Sequence, residues 1–344
     1  MVKRSIRIAE TTGSNPVRST IFVFYSDISP FTDDTMRGMI DAVYEFVLRH
    51  PRLSGILGVI IVIFLGSFLW WRVVWERPQR VFTDMLAGNL STSSVLKTVS
   101  ASGNGQRVMQ QSRLEMGGVN AADWLVTVAQ TGSSVSTENI GTPTTGYIRY
   151  AHIDTVIQNN GKPFDFSKVQ NIWGKSDGKT DPSLSHLFSQ TMLDVSSAPT
   201  PPIGNLPEGE RQNVLSYMQT EKIFSPDYAK TKREKVGGRD VYTYQVAVQL
   251  GAYIRMMQAF AHYIGLRDLD TLDPSQYSTL PPITVTMSVD RASHQLVRVV
   301  YPGSGFSQSY TDWGLQTPIA IPAHTISTTE LQNRIQVLDS ASHA

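Results

Sequence analysis

The side chains that could do chemistry in this chain are sparse and unpaired. Seven histidines occur, and none stands at a spacing that lets two imidazoles share a metal ion. His152 and Asp154 form a lone pair on strand-like sequence and read as exposed or packed. His262 falls on a helix and His294 in a turn, and both read as structural. No H-E-x-x-H, G-x-S-x-G, P-loop or dinucleotide glycine motif is present. Gly303-Ser-Gly-Phe-Ser is a glycine-rich turn after a strand, but no helix follows, so it is not a phosphate cradle. Asp177, Asp181 and Asp240 are scattered, and nothing pairs them for acid–base work. Cysteine is absent, which excludes disulfides, a thiol nucleophile, Cys-ligated zinc, an iron–sulfur cluster and a lipidated N-terminal cysteine. The expectation is no enzyme, no cofactor and no metal. The catalytic alternative is a hydrolase whose triad is dispersed along the chain.

Composition narrows the partners. Net charge is +1, so no global basic field points to nucleic acid. Charged residues make up 17%, below the average of about 25% for soluble domains. That fits a membrane segment joined to a Ser/Thr/Gln-rich domain. A chain of 344 residues accommodates one large domain or two ordinary ones, with accessory segments.

The elements that would position a site begin late in the chain. Residues 1–38 show neither helical nor strand periodicity. Within them Gly13-Ser-Asn-Pro back-translates to the T-loop of a transfer-RNA gene. Two readings stand: a start codon placed too early, with initiation at Met36 or Met39 rather than Met1, or a disordered cytoplasmic tail. Residues 39–54 hold a short cytoplasmic amphipathic helix, stopped by Pro51. Residues 55–75 follow as a transmembrane helix. No charge interrupts the run from Gly55 to Trp71, and Val73, Val74 and Trp75 extend it past Arg72. Roughly 20 residues at about 1.5 Å each span the ~30 Å hydrocarbon layer. Trp70, Trp71 and Trp75 suit the interface, and Arg72 can snorkel there. A cleaved signal peptide would end in a small-x-small site, which Trp-Trp-Arg-Val-Val-Trp does not offer. The expectation is an uncleaved single-pass signal anchor in the cytoplasmic membrane. Arg37, Arg49 and Arg52 before the span and Arg72, Arg77 and Arg80 after it leave the charge bias undecided. An extracytoplasmic C-terminal domain rests on analogy with signal-anchored proteins.

Residues 80–337 form the expected domain, with 338–344 as a tail. Val81-Phe-Thr-Asp-Met-Leu and Val95-Leu-Lys-Thr-Val read as a helix pair or a broken helix. The period then changes to two. Strands at 106–116, 124–130, 146–156 and 169–173, between Gly and Asn turns, argue for an antiparallel meander. The Ser/Thr/Gly-rich stretch 132–146 reads as a long hairpin excursion or a binding loop. Helices are expected at 183–193 and 208–217, opened by Asp181-Pro-Ser and Pro207-Glu, with a proline-rich linker or lid at 196–207. Gly237-Gly238 is a strong two-residue hairpin turn. After it Tyr242, Tyr244, Val246, Val248 and Leu250 line one face of a strand, which Gly251 ends. Residues 253–264 follow as an amphipathic helix with Ile254, Met257, Phe260, Ala261 and Ile264 on one side, capped by Gly265. In the next strand Ile283, Val285, Met287 and Val289 face one way. A turn at 290–294, strands at 295–301 and 307–313, an extended stretch at 318–322 and a short helix at 327–337 complete the set.

The order strand, Gly-Gly turn, strand, amphipathic helix, strand, Asp-turn, strand lies in two stretches. They are Lys235-Val-Gly-Gly-Arg-Asp-Val-Tyr-Thr-Tyr-Gln-Val and Val285-Thr-Met-Ser-Val-Asp-Arg-Ala-Ser-His-Gln-Leu-Val-Arg-Val. This order resembles the LolA/LppX/RseB-like lipoprotein-carrier superfamily of bacteria. The resemblance implies an α+β fold, a curved antiparallel sheet (half-barrel) packed on helices, here preceded by one transmembrane helix. It places Tyr242, Tyr244, Val246, Val285, Met287 and Val289 on the concave side, facing an apolar cavity. Met257 and Phe260 join them from the helix. The same side chains would serve equally as plain packing of helix on sheet. The anchor and the missing lipobox cysteine depart from the soluble carriers and leave lipid binding, sensing or scaffolding. The expected function is a membrane-tethered extracytoplasmic binding domain for a lipid or lipidated ligand, driven by about 0.8 kcal/mol per buried CH₂. The alternative is a structural, interaction or sensor protein of the cell envelope with a filled core. The partners implied are the lipid bilayer, a lipid or acylated ligand, and an envelope protein.

Overall fold

The computed structural model describes residues 51–70 and 74–342, apart from 104–105, 119, 131, 155–157, 160–161, 164, 178–187, 190, 192, 194–198, 302 and 304. The expectations for 1–38 and 39–50, and most of the helix expected at 183–193, lie outside the described residues. The chain divides into two units, 1–68 and 69–344.

In the first unit, α1 (Pro51–Trp70) is a continuous helix of 20 described residues. The described large side chains from 59 to 65 are apolar and exposed: Val59 59%, Ile60 56%, Ile61 49%, Val62 69%, Ile63 62%, Phe64 72% and Leu65 53%. Successive residues step about 100° around a helix, so this run covers its whole circumference. The side chains described in α1 run unbroken only over 59–67. On the described residues alone, no helix is long and apolar enough to cross a membrane.

The second unit is mixed α+β, built on one large, open, curved sheet. After α2 (Pro78–Asn89), a first meander runs β1 (Ser94–Gly103), β2 (Gln106–Glu115), β3 (Ala121–Gln130), β4 (Ser133–Gly141) and β5 (Thr145–Asp154), each antiparallel to the one before. A small ribbon of β6 (Gln158–Asn159) and β7 (Lys162–Pro163) follows, then β8 (Gly174–Asp177), which pairs with β5. Next come α3 (Glu208–Thr220), β9 (Phe224–Pro226), β10 (Lys232–Val236), β11 (Arg239–Val248) and α4 (Leu250–Tyr263). The second meander continues with β12 (Ile283–Asp290), β13 (Leu296–Val300) and β14 (Ser307–Thr311). Last are β15 (Ile326–Ser327) and α5 (Thr328–Ser342). Because β14 pairs with β1, the meanders fuse into one sheet ordered β10-β11-β12-β13-β14-β1-β2-β3-β4-β5-β8-β15, with β9 also on β11.

Local chemistry explains most boundaries. Gly237 and Gly238 have φ of +57° and +81°, the pair of positive angles that lets a two-residue turn follow the strand twist. Gly265, at φ +81°, ends α4 while the Leu266 amide donates to the Ala261 carbonyl at 2.8 Å. That closes the last turn as a Schellman motif.

Three expectations are corrected and one open reading is resolved. Residues 95–99 are strand, not helix. Their β-branched Val95, Thr98 and Val99 pair on both sides, Val95 with Leu114 and Leu96 with Thr311, and tertiary pairing overrides the i, i+4 apolar spacing. The stretch 132–146, open between a hairpin excursion and a binding loop, is the β4–β5 hairpin. Residues 169–173 make only an isolated bridge, Tyr150 to Gln170, and the strand starts at Gly174. Gly251 lies inside α4 rather than ending a strand: a Cβ there would stand 2.3 Å from Ser278 Oγ and 2.9 Å from Ser278 Cα, so close approach requires glycine.

The core lies on one side of the sheet. Val81, Phe82, Met85 and Leu86 of α2, Val214 and Met218 of α3, and Ile254, Met257, Phe260 and Ala261 of α4 pack against the second meander and the root of the first. The first meander then runs on beyond Trp124. On the opposite side, Ala121, Ile140, Tyr147 and Ile319 form a small second core with Trp173. The strap at 315–326 is fastened there by the Ile319 amide, which donates to Glu115 Oε2 at 2.6 Å.

Candidate functional site

The second meander and α4 bring all eight residues singled out from the sequence into one core. Tyr244, Val246, Phe260, Val285, Met287 and Val289 are 0% exposed, Met257 1% and Tyr242 2%. A side chain lining a void wide enough for an alkyl chain keeps surface that a water-sized sphere can touch; these keep almost none. The packing is close elsewhere on the same helix too: a Cβ on Gly204 would stand 2.9 Å from the Phe260 ring. The register explains the gathering. Tyr244 pairs with Met287, Val246 with Val285 and Tyr242 with Val289, and directly opposed residues share a face.

The two phenols reach beyond the apolar core. Tyr242 Oη donates to the Glu76 carbonyl and Tyr244 Oη to the Pro78 carbonyl, each at 2.9 Å. Burial raises the Tyr244 phenol well above its ordinary value, so it stays a donor. Around them residues 75–80 form a collar. Glu76 is ion-paired with Arg291, both side chains under 20% exposed. Burial works against the Arg291 charge, but the Glu76 hydrogen bond and charge outweigh it and hold its pKa above the usual value. The Arg291 and Arg233 guanidiniums stand 5.3 and 5.4 Å from the Tyr242 ring centre, within cation–π range. Trp75 Nε1 donates to the Ala292 carbonyl at 3.3 Å, and Arg80 lies 4.7 Å from the Trp75 ring centre.

Beside the collar is a pocket of about 480 Å³. The C-terminal half of α2 supplies Asp84 and Asn89, the turn between β12 and β13 supplies His294, and the segment after β14 supplies Trp313. The turn is set by Asp290, whose Oδ1 accepts from the Ala292 and Ser293 amides at 2.9 Å while its carbonyl accepts from the His294 amide at 3.0 Å. His294 then sits at φ +57°, 5% exposed, with its ring stacked 4.6 Å from Trp75 and its Nδ1 2.9 Å from Asp84 Oδ2. Its Nε2 is buried without a partner, and so is Asn89 Nδ2. An Asp–His couple is the orienting part of a catalytic triad, but no hydroxyl reaches His294 Nε2. Among the described residues no group of three His, Cys, Asp or Glu could hold a metal ion. The sequence reading of His294 as a plain turn residue missed this pocket, since only folding brings positions 84, 89, 294 and 313 together.

The first meander offers two further faces beyond the helices. On the core-facing side Val99, Val108, Val126, Val128 and Val135 lie on adjoining strands; all are partly exposed, Val128 to 38%. The other side is polar. Arg113 pairs with Asp123 at 2.9 Å, Arg149 pairs with Glu138 and stacks over Trp173, and Thr127 bonds Ser136 at 3.0 Å. Burial raises the Asp123 carboxyl pKa despite Arg113. His152 and Asp154 are exposed at the far end of β5. The chain matches no protein-family model and no curated protein sequence.

Proposed function

We propose that the chain is a membrane-held, non-catalytic recognition protein. In this reading α1 is a single-pass signal anchor in the cytoplasmic membrane, and the α+β domain lies outside the cytoplasm and meets an envelope partner at its surface. The domain would be a carrier-like half-barrel whose concave side is filled by its own helices. One contrast supports this. The apolar groups of the second meander are taken up by the core, whereas the described apolar side chains of α1 are exposed. A helix apolar all round belongs in a protein core or a bilayer. The twelve Leu, Ile, Val and Phe residues of α1 would favour insertion by about 4–7 kcal/mol before the polar positions subtract.

Lipid or acyl binding is the second reading, favoured by the uncovered valines of the first meander rather than by the eight core residues. Native mass spectrometry of the detergent-extracted chain separates the two. The first reading expects a protein partner and no stoichiometric lipid. One phospholipid per chain, retained by the parent and lost in Val128→Arg, would establish the second instead.

A further inference from the structure

The two ends of the large sheet are finished differently. At one end β15 is two residues long and α5 follows it directly, with Leu331 buried against β8. At the other end β10 is five residues long and pairs only with β11 among the described residues. Its Lys232, Arg233, Glu234 and Lys235 are all exposed. A 3-10 turn at Tyr228–Lys230 and the Gly237-Gly238 turn bound this open stretch.

The hairpin fixes which backbone groups are free. Val236 and Arg239 flank a two-residue turn, so they form a hydrogen-bonded pair. Such pairs alternate along an antiparallel ladder. Lys232, Glu234 and Val236 therefore bond to β11, and the N–H and C=O groups of Arg233 and Lys235 point outward. Unpaired groups of this kind are a template for another strand.

Charge selects what the template accepts. The chain as a whole carries +1, but residues 230–239 hold five cations, Lys230, Lys232, Arg233, Lys235 and Arg239, against the one carboxylate of Glu234. Lys230 and Lys235 have carboxylate neighbours, Asp227 at 3.0 Å and Asp240 at 3.8 Å, and both pairs are exposed, where water screens them. A second copy does not fit. In antiparallel self-pairing centred on Glu234, Arg233 of each copy would stand opposite Lys235 of the other, and directly opposed like charges destabilise a sheet. A neutral strand would leave the cations unmatched, whereas an acidic strand gains both backbone bonds and ion pairs. Arg233 and Lys235 lie on one face of β10, opposite Tyr242 and Asp240, so carboxylates two residues apart on the incoming strand would meet both. We propose that β10 is the docking edge for an acidic extended segment of a partner protein, with carboxylates at alternate positions. This names the partner's chemistry for the recognition role of the domain and rests on that reading.

The test uses the full chain in detergent and a fluorescein-labelled peptide, Thr-Glu-Thr-Glu-Thr-Glu-Thr, with Thr-Lys-Thr-Lys-Thr-Lys-Thr as its counterpart. The acidic peptide should bind saturably by anisotropy, with a dissociation constant at or below about 1 mM, and the basic peptide should not bind. In the free chain the Arg233 and Lys235 amides should exchange hydrogen fast and the Glu234 amide slowly; saturating acidic peptide should protect all three. Lys235→Pro removes an outward N–H and spares the ladder to β11, a change edge strands tolerate. It should weaken binding about tenfold or more, against about threefold for Lys235→Gln, which removes the charge alone. Glu234→Gln should tighten binding about twofold, a gain that damage to the fold would not give. A flat titration with the acidic peptide would show that the charges only guard the edge and would overturn the inference; a protein partner found by native mass spectrometry would still leave the recognition role standing. Equal losses for Lys235→Pro and Lys235→Gln, or binding without protection of the Arg233 and Lys235 amides, would overturn it as well.

Discussion

The two meanders follow the same two-residue period and end in different states. In β11, Tyr242, Tyr244, Val246 and Val248 alternate inward and are 0–2% exposed. In β3, Ala122, Trp124, Val126 and Val128 alternate inward just as regularly, yet exposure rises along the strand from 0% at Ala122 to 38% at Val128. The difference lies in what covers them. The helices α2 and α4 close over the second meander and over the root of the first, and β1–β5 continue past them. Alternation therefore settles which side of a sheet faces the core, and a helix has to be supplied before that side is buried. The second meander is a filled core, and the far half of the first is a surface.

Substitutions can break or sharpen that contrast. Met287→Arg would put a charge beside Tyr244 and Val299 with no counter-ion. It should cost about 4 kcal/mol or more and unfold the domain in urea titrations. Arg291→Ala leaves Glu76 largely buried and unpaired in the collar, and should cost about 2–3 kcal/mol by the same measurement. Tyr244→Phe removes a buried hydrogen bond to the Pro78 carbonyl, a loss of about 1–2 kcal/mol. Its pH signature is specific. The folded phenol is held neutral above its ordinary value, while an unfolded tyrosine ionises near about pH 10. The parent's stability from this group is thus complete below that pH and falls as pH rises past it. The Phe variant should lose that part of the alkaline slope. Val128→Arg makes the same chemical change as Met287→Arg on the same side of the sheet, and should shift stability by no more than about 0.5 kcal/mol. Equal losses for the two arginines would remove the distinction between the meanders.

Much of the second meander was legible because its signals are local. The Gly237-Gly238 turn needs positive φ at both positions, Gly265 caps a helix whose apolar spacing precedes it, and the inward residues of β11 and β12 alternate without interruption. The first meander was harder. Val95 and Val99 fit a helix by spacing alone, and only the partners on β2 and β14 fix them as strand. That β14 closes onto β1 is a pairing of residues more than 200 positions apart, which no periodicity reveals. The core residues could be named from sequence, but lining and packing have the same pattern there; the structure adds that all eight are 0–2% exposed. The pocket left no local signal at all, since Asn89 ends a helix, His294 occupies a turn, and neither suggests the other.

We propose that α1 holds the chain in a bilayer while the second meander keeps its apolar groups in the core. Alkaline carbonate extraction of membranes from cells making the full chain tests it most directly. The account expects the chain to stay with the membrane pellet, and a variant with Ile60, Ile61 and Ile63 all changed to Lys to leave with the supernatant. A parent chain released into the supernatant would contradict it.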